Sequence, residues 1–100
     1  MITTKQRAAL RALANPLQPL FQIGKSGVTE NVVASADDAL TARELIKLRV
    51  LETSPVTAKE ACEELSGRLG ADPVQVVGRV LVLYRENPEI KAYTEELSKL

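Results

Sequence analysis

A chain of 100 residues and 10.9 kDa has room for one hydrophobic core and not for two. It carries no histidine and a single cysteine, Cys62, which excludes a histidine general base, a Cys/His metal cluster and an internal disulfide. Its 13 basic and 13 acidic residues cancel, and no apolar run approaches the roughly 20 residues of a membrane-spanning helix.

The charges are unevenly placed. Lys5, Arg7, Arg11 and Lys25 all precede the first acid, Glu30, leaving nine basic residues against all 13 acids in the remainder. A neutral chain of this kind can still present one basic face. The start, Met1-Ile2-Thr3-Thr4-Lys5-Gln6, lacks the apolar core of a secretory signal, and a lone cysteine suits a reducing compartment, so a cytoplasmic protein is expected.

In chain order, Thr3 and Gln6 have capping-box spacing, and Ala9, Leu10, Leu13 and Ala14 form the apolar stripe of a first helix that Asn15-Pro16 ends. Arg7 and Arg11 share one side of it. Leu17 to Ile23 reads as a first strand entered through Pro19. Gly24-Lys25-Ser26-Gly27 follows as a turn. Thr29 then caps a second helix running to about Leu40, with Val28 and Val33 as a hydrophobic staple.

Glu44 to Glu52 alternates, with Ile46, Leu48 and Val50 on one face and Lys47 and Arg49 on the other. Thr57 and Glu60 repeat the capping-box spacing before a third helix that buries Ala58, Ala61, Cys62, Leu65 and Leu69 and stops at Gly70. Cys62 is a core filler in this reading. Val74 to Val77 and Val80 to Arg85 form a ribbon about a Gly78-Arg79 turn, its core side left open by the pattern. Asn87-Pro88 opens a last, acidic helix carrying Ile90, Tyr93, Leu97 and Leu100 at helical spacing. The expected organisation is a domain over 1–86 with a helical extension over 87–100.

Gly24-Lys25-Ser26 between a strand and a helix invites comparison with a P-loop. The spacing fails, because the P-loop needs a glycine five residues earlier and position 19 is proline, which has no N–H to offer a phosphate. No paired acids mark a cleft, so no catalytic residue, metal or cofactor is assigned. The same four residues form a Gly-x-x-Gly loop, the device with which KH-type proteins clamp a nucleic-acid backbone. In those proteins it joins two helices, whereas a strand precedes it here.

Several strings together resemble the CRM domain (chloroplast RNA splicing and ribosome maturation), in its bacterial single-domain YhbY-like form. They are Thr4-Lys5-Gln6-Arg7, Leu13-Ala14-Asn15-Pro16-Leu17-Gln18-Pro19, Ile23-Gly24-Lys25-Ser26-Gly27-Val28-Thr29, Glu44-Leu45-Ile46-Lys47-Leu48, Val74-Gln75-Val76-Val77-Gly78-Arg79 and Leu81-Val82-Leu83-Tyr84-Arg85. The resemblance implies a two-layer α+β fold of order α-β-α-β-α-β-β. Its four-stranded mixed sheet would be similar to the C-terminal domain of translation initiation factor three, here with a C-terminal helix added.

It also implies RNA binding through the Gly-x-x-Gly loop and a neighbouring basic surface, and association with the large-subunit precursor of the bacterial ribosome. Gly24, Lys25, Ser26 and Gly27 are then the phosphate-holding residues, with Arg7, Arg11, Lys47 and Arg49 as flanking contacts. The protein is expected to be a monomer without catalytic activity, small-molecule substrate or membrane partner. With only Phe21, Tyr84 and Tyr93 as aromatics, recognition of backbone and shape is expected over base reading. The alternative is a protein-interaction module that reaches the ribosome through a protein partner, using the acidic helix.

Overall fold

The structure, a computed structural model, describes residues 2–100. Its elements are α1 (Thr4–Ala14), β1 (Gln22–Ile23), α2 (Glu30–Arg43), β2 (Leu45–Val50), α3 (Ala58–Leu69), β3 (Asp72–Val77), β4 (Val80–Tyr84) and α4 (Thr94–Ser98). Both capping boxes form. Thr3 Oγ1 accepts from the Gln6 N–H at 3.0 Å and Gln6 Oε1 from the Thr3 N–H at 2.9 Å, and Thr57 and Glu60 do the same at 3.1 and 2.9 Å. Each cap satisfies backbone donors that a helix start would otherwise leave open.

The four strands form one mixed sheet of order β1-β2-β4-β3, with β1 parallel to β2 and the remaining pairs antiparallel. Ile46, Leu48 and Val50 of β2 and Leu81 and Leu83 of β4 face the main core, which α2 and α3 close with Ala36, Leu40, Ala61, Cys62 and Leu65. Burying each such leucine contributes about 1.5–3 kcal/mol. Burial, with Glu63 nearby, pushes the Cys62 thiol up to about 11.

The opposite sheet face is also partly covered. Leu10 and Ala14 of α1 and Leu97 of α4 pack there on Leu45, Val74, Val82 and Tyr84. The two-layer description therefore gains a partial third layer over one half of that face, and β4 has core on both sides. This resolves the ambiguity of the ribbon: its strictly apolar run is that of a strand buried twice.

Several element bounds differ from expectation, three of them for a clear physical reason. Regular pairing of β1 covers only Gln22–Ile23, because Pro19 has a fixed φ and no N–H for the ladder. The first link to β2 is made by the Leu20 N–H to the Lys47 carbonyl, at 2.8 Å. Helix α2 runs on to Arg43, where Glu44, at φ 66°, ends it. Strand β3 begins at Asp72 and passes through Pro73, tolerable because β3 is an edge strand and a bulge between Pro73 and Gln75 absorbs the missing donor.

The C-terminal segment departs furthest. Asn87 caps only one turn, accepting from the Glu89 N–H at 3.0 Å, and the helix proper is the short α4. The cause is Glu44, fully buried, whose carboxylate accepts from the N–H groups of Asn87 and Tyr93 and the Thr94 hydroxyl, each at 2.6 Å. Wrapping 87–94 around one carboxylate is incompatible with a continuous helix. Burial alone would push the Glu44 carboxyl up, but these bonds, with one from the Thr94 N–H, outweigh it and hold it below its ordinary value.

Arg85 fastens the same end of the sheet. Its guanidinium donates to Asp37 Oδ1 at 2.7 Å, the Thr41 hydroxyl at 2.9 Å, the Leu69 carbonyl at 3.0 Å and the Asp37 carbonyl at 3.1 Å.

Candidate nucleic-acid interface

At the other end of the sheet, β1 runs into the Gly-x-x-Gly loop. The Gly27 N–H donates to the Gly24 carbonyl at 2.9 Å, closing a tight turn that leaves Lys25 and Ser26 exposed at its tip. The two glycines are not equivalent. Gly27 is buried with φ +69°, and a Cβ there would lie 3.3 Å from Pro55 Cγ in the β2–α3 loop. Gly24 has ordinary backbone angles, and its Cβ would make only a 3.8 Å contact with Leu51. Gly27 is thus required by conformation, whereas the bare backbone at Gly24 keeps the approach to the loop open.

Helix α2 starts immediately afterwards. Thr29 Oγ1 accepts from the Val32 N–H at 3.1 Å and the Thr29 carbonyl from the Val33 N–H at 3.0 Å. Among the described residues, the N–H groups of Lys25, Ser26, Glu30 and Asn31 donate to no protein acceptor. Glu30 is drawn off towards α3, where both carboxylate oxygens bind Arg68 Nη2, at 2.8 and 3.0 Å. What remains at the loop is a lysine, free backbone donors and the positive end of a helix dipole, a set that accepts an anion.

The neighbouring sheet surface has the same sign. Gln22 pairs with Arg49, and Arg49 with Val80, so these three side chains share the face opposite the main core with Lys47, Gln75 and Val77. This half of the face lies outside the α1–α4 cover. Arg49 is exposed, and Lys47 is half-buried with Nζ donating to the Asn15 carbonyl at 3.3 Å. None of the six is a carboxylate.

The other two expected contacts are placed differently. Arg7 is half-buried and its Nε donates to the Pro73 carbonyl at 3.1 Å. Pro73, second residue of the edge strand opposite β1, pairs with Leu83 near the end of β4, so Arg7 occupies the corner of the sheet diagonal to the loop. Arg11, one turn further along α1, is exposed. The structure therefore places Gly24, Lys25, Ser26, Gly27, Lys47 and Arg49 towards one end and face of the sheet and Arg7 outside that group, while Arg11 sits on α1 one turn before Asn15, whose carbonyl binds Lys47.

Arg79, which the sequence places in the turn of the ribbon, belongs to the loop's end of the sheet. Its carbonyl accepts from the Val50 N–H at 2.7 Å, while its guanidinium lies 3.6 Å from Glu52, both side chains largely exposed. The Gly78-Arg79 turn signal was visible in the sequence; its position beside the β2–α3 loop was not. Among the described residues no cluster of His, Cys, Asp or Glu could hold a metal ion, and no helix is long and apolar enough to cross a membrane.

Known proteins resemble the chain as a whole. Residues 2–85 match the family model described as the CRS1 / YhbY (CRM) domain. The chain is similar to the Probable RNA-binding protein YqeI of Bacillus subtilis (strain 168), with 41% identity over 91 residues that span 91% of this chain and 95% of that one. It is similar also to an RNA-binding protein of Haemophilus influenzae, 37% identical over 90 residues, or 90% of this chain and 91% of the other. Among solved structures, the solution structure of the hypothetical protein SAV1595 from Staphylococcus aureus matches with a TM-score of 0.78 and 46% identity, covering 91% of this chain and 95% of that one. With the family model spanning all but the C-terminal segment, the chain belongs to the CRS1/YhbY (CRM) domain family.

Proposed function

We propose that the protein binds ribosomal RNA in the precursor of the large subunit and acts in ribosome assembly by docking, without catalysis, as a monomer in the cytoplasm. The observation that carries the RNA reading is the junction of the exposed Lys25 and the free N–H groups around it with the carboxylate-free face of Lys47 and Arg49. The names of the Bacillus and Haemophilus relatives support it, and the ribosomal target follows from the family resemblance.

Phosphates of the RNA sit on the Gly24–Gly27 loop and the start of α2. Lys47 and Arg49 hold the flanking backbone, and Arg11 and Arg7 extend the contact along α1 where the RNA is long enough.

Each neutralised phosphate releases counterion, so the three contacts of Lys25, Lys47 and Arg49 to single-stranded segments give a log–log salt slope of about −2. The test is a salt-dependent titration of a large-subunit ribosomal RNA fragment with wild type, Lys25→Ala and Gly27→Asp. Affinity and slope should both fall in Lys25→Ala, the slope by just under about 1. Equal binding by both folded variants rejects the loop, and crosslinks in cells that map to other RNAs reject the ribosomal target.

The alternative, recruitment through a protein partner, would leave ribosome association intact after RNase digestion. Of its candidate contact, Leu97 is buried on α1 and the sheet, whereas Ile90 and Leu100 remain exposed.

A further inference from the structure

We infer that the open half of the second sheet face is a subsite for one unpaired nucleobase, set in the depression formed by Asn15, Lys47, Gln75, Val77, Val80 and Val82. The inference rests on the RNA reading above and replaces the expectation of shape-only recognition with one point of base reading.

The depression measures about 350 Å³, within the range of small-ligand clefts. Its floor is aliphatic. Val80 is half-buried in it, Val77 is 60% exposed, although it lies on an edge strand where a charged residue would guard against aggregation, and Val82, packed in the cluster under α1, closes its inner end. Its rim is amide. Among the described residues the side chains of Asn15 and Gln75 make no hydrogen bond, and each offers both a donor and an acceptor, the combination needed to match a base edge.

The surrounding charge selects the occupant. Arg49 stands opposite Val80 at the margin of the depression, and its planar guanidinium can stack on a base. Lys47 and Arg49 alternate along β2 about 7 Å apart, a spacing that suits successive phosphates of an extended strand. The face is also continuous, through the Gln22–Arg49 pairing, with the strand that carries the phosphate-binding loop. A nucleotide satisfies the flat apolar floor, the amide rim and the cationic margin together. An acidic peptide would satisfy only the margin.

Labelled full-length protein, titrated separately with UMP, CMP, AMP, GMP and ribose 5-phosphate, tests this by NMR. The nucleotides should move the Gln75 side-chain amide and the Val77 and Val80 methyl signals, whereas ribose 5-phosphate moves only amides of the Lys25 loop. One base should bind about fivefold tighter than the weakest, the discrimination expected of a single amide-to-base contact, and Gln75→Ala should erase that spread.

Gln75 is half-exposed on an edge strand, and unchanged methyl signals elsewhere establish that the variant folds. Equal effects from ribose 5-phosphate, or an undiminished spread in Gln75→Ala, overturn the subsite. The RNA reading survives that result if Lys25→Ala still weakens binding of the ribosomal RNA fragment; no nucleotide shifts together with no RNA binding overturn both. A poly-glutamate peptide that moves these signals while nucleotides do not overturns the inference in favour of an acidic partner.

Discussion

The two ends of the sheet use similar backbone devices to opposite effect. At one end Glu44 turns the chain out of α2 with φ 66°; at the other Gly27 turns it into α2 with φ 69°. Around Glu44 no buried side-chain polar atom among the described residues lacks a partner, and the carboxylate alone gathers four bonds from the C-terminal segment. Around Gly27 the backbone donors of Lys25, Ser26, Glu30 and Asn31 face solvent without a protein acceptor among the described residues. Polar groups committed internally hold a fold together, and those left outward are available to a ligand.

Breaking the Glu44 end should have the largest effect on stability. Glu44→Ala leaves several buried donors without an acceptor and is expected to cost about 3 kcal/mol in urea denaturation. RNA affinity of the folded fraction should be unchanged, and a parallel loss of affinity would erase the division of labour between the two ends.

Acid sharpens the same contrast. The folded Glu44 carboxyl lies below its ordinary value, so its stabilisation is fully present above the usual glutamate range near pH 4.3 and is lost as pH falls through the lower folded value. Glu44→Gln should therefore show a flatter acid limb in stability against pH than wild type.

At the loop, Gly27→Ala places a Cβ at positive φ and 3.3 Å from Pro55, for an expected loss of about 1–2 kcal/mol. Gly24→Ala, with ordinary angles, should stay within about 0.5 kcal/mol, and its effect should appear in RNA affinity instead. Equal destabilisation by the two changes would show that the loop relies on both glycines for its shape.

Lys25→Ala is the smallest structural change, within about 0.5 kcal/mol of wild type in thermal or urea melts, with its whole effect in RNA binding and salt slope. As a control remote from both ends, the Cys62 thiol, pushed up to about 11, should resist a thiol reagent at pH 8 until the chain unfolds.

Much of the fold was legible because its signals are local. Thr3 with Gln6 and Thr57 with Glu60 cap within three residues, Gly70 ends α3 with φ 62°, and Ile46, Leu48 and Val50 alternate into one face. The loop was legible for the same reason.

What was hidden depends on partners far along the chain. Glu44 reads as the first residue of a strand, yet its ligands lie 43 to 50 residues away. Arg85 reads as a strand end, yet it binds Asp37 and Thr41. Arg7 and Lys47 look alike as basic surface residues, and only the sheet order sets one diagonal to the loop and the other on its face. Composition likewise could not place Asn15 beside Gln75, which lie 60 positions apart and line one depression.

The brevity of β1 has a bearing on motion. Two ladder residues and the flanking links from Leu20, Phe21 and Ile23 are the strand's attachment to β2, whereas β2, β3 and β4 zip together over five or six residues each. Few bonds define a unit of low local opening energy. Amide hydrogens of Gln22 and Ile23 should accordingly exchange with deuterium well before those of Leu81 and Leu83, so the segment that presents Lys25 loosens while the sheet beneath it stays closed.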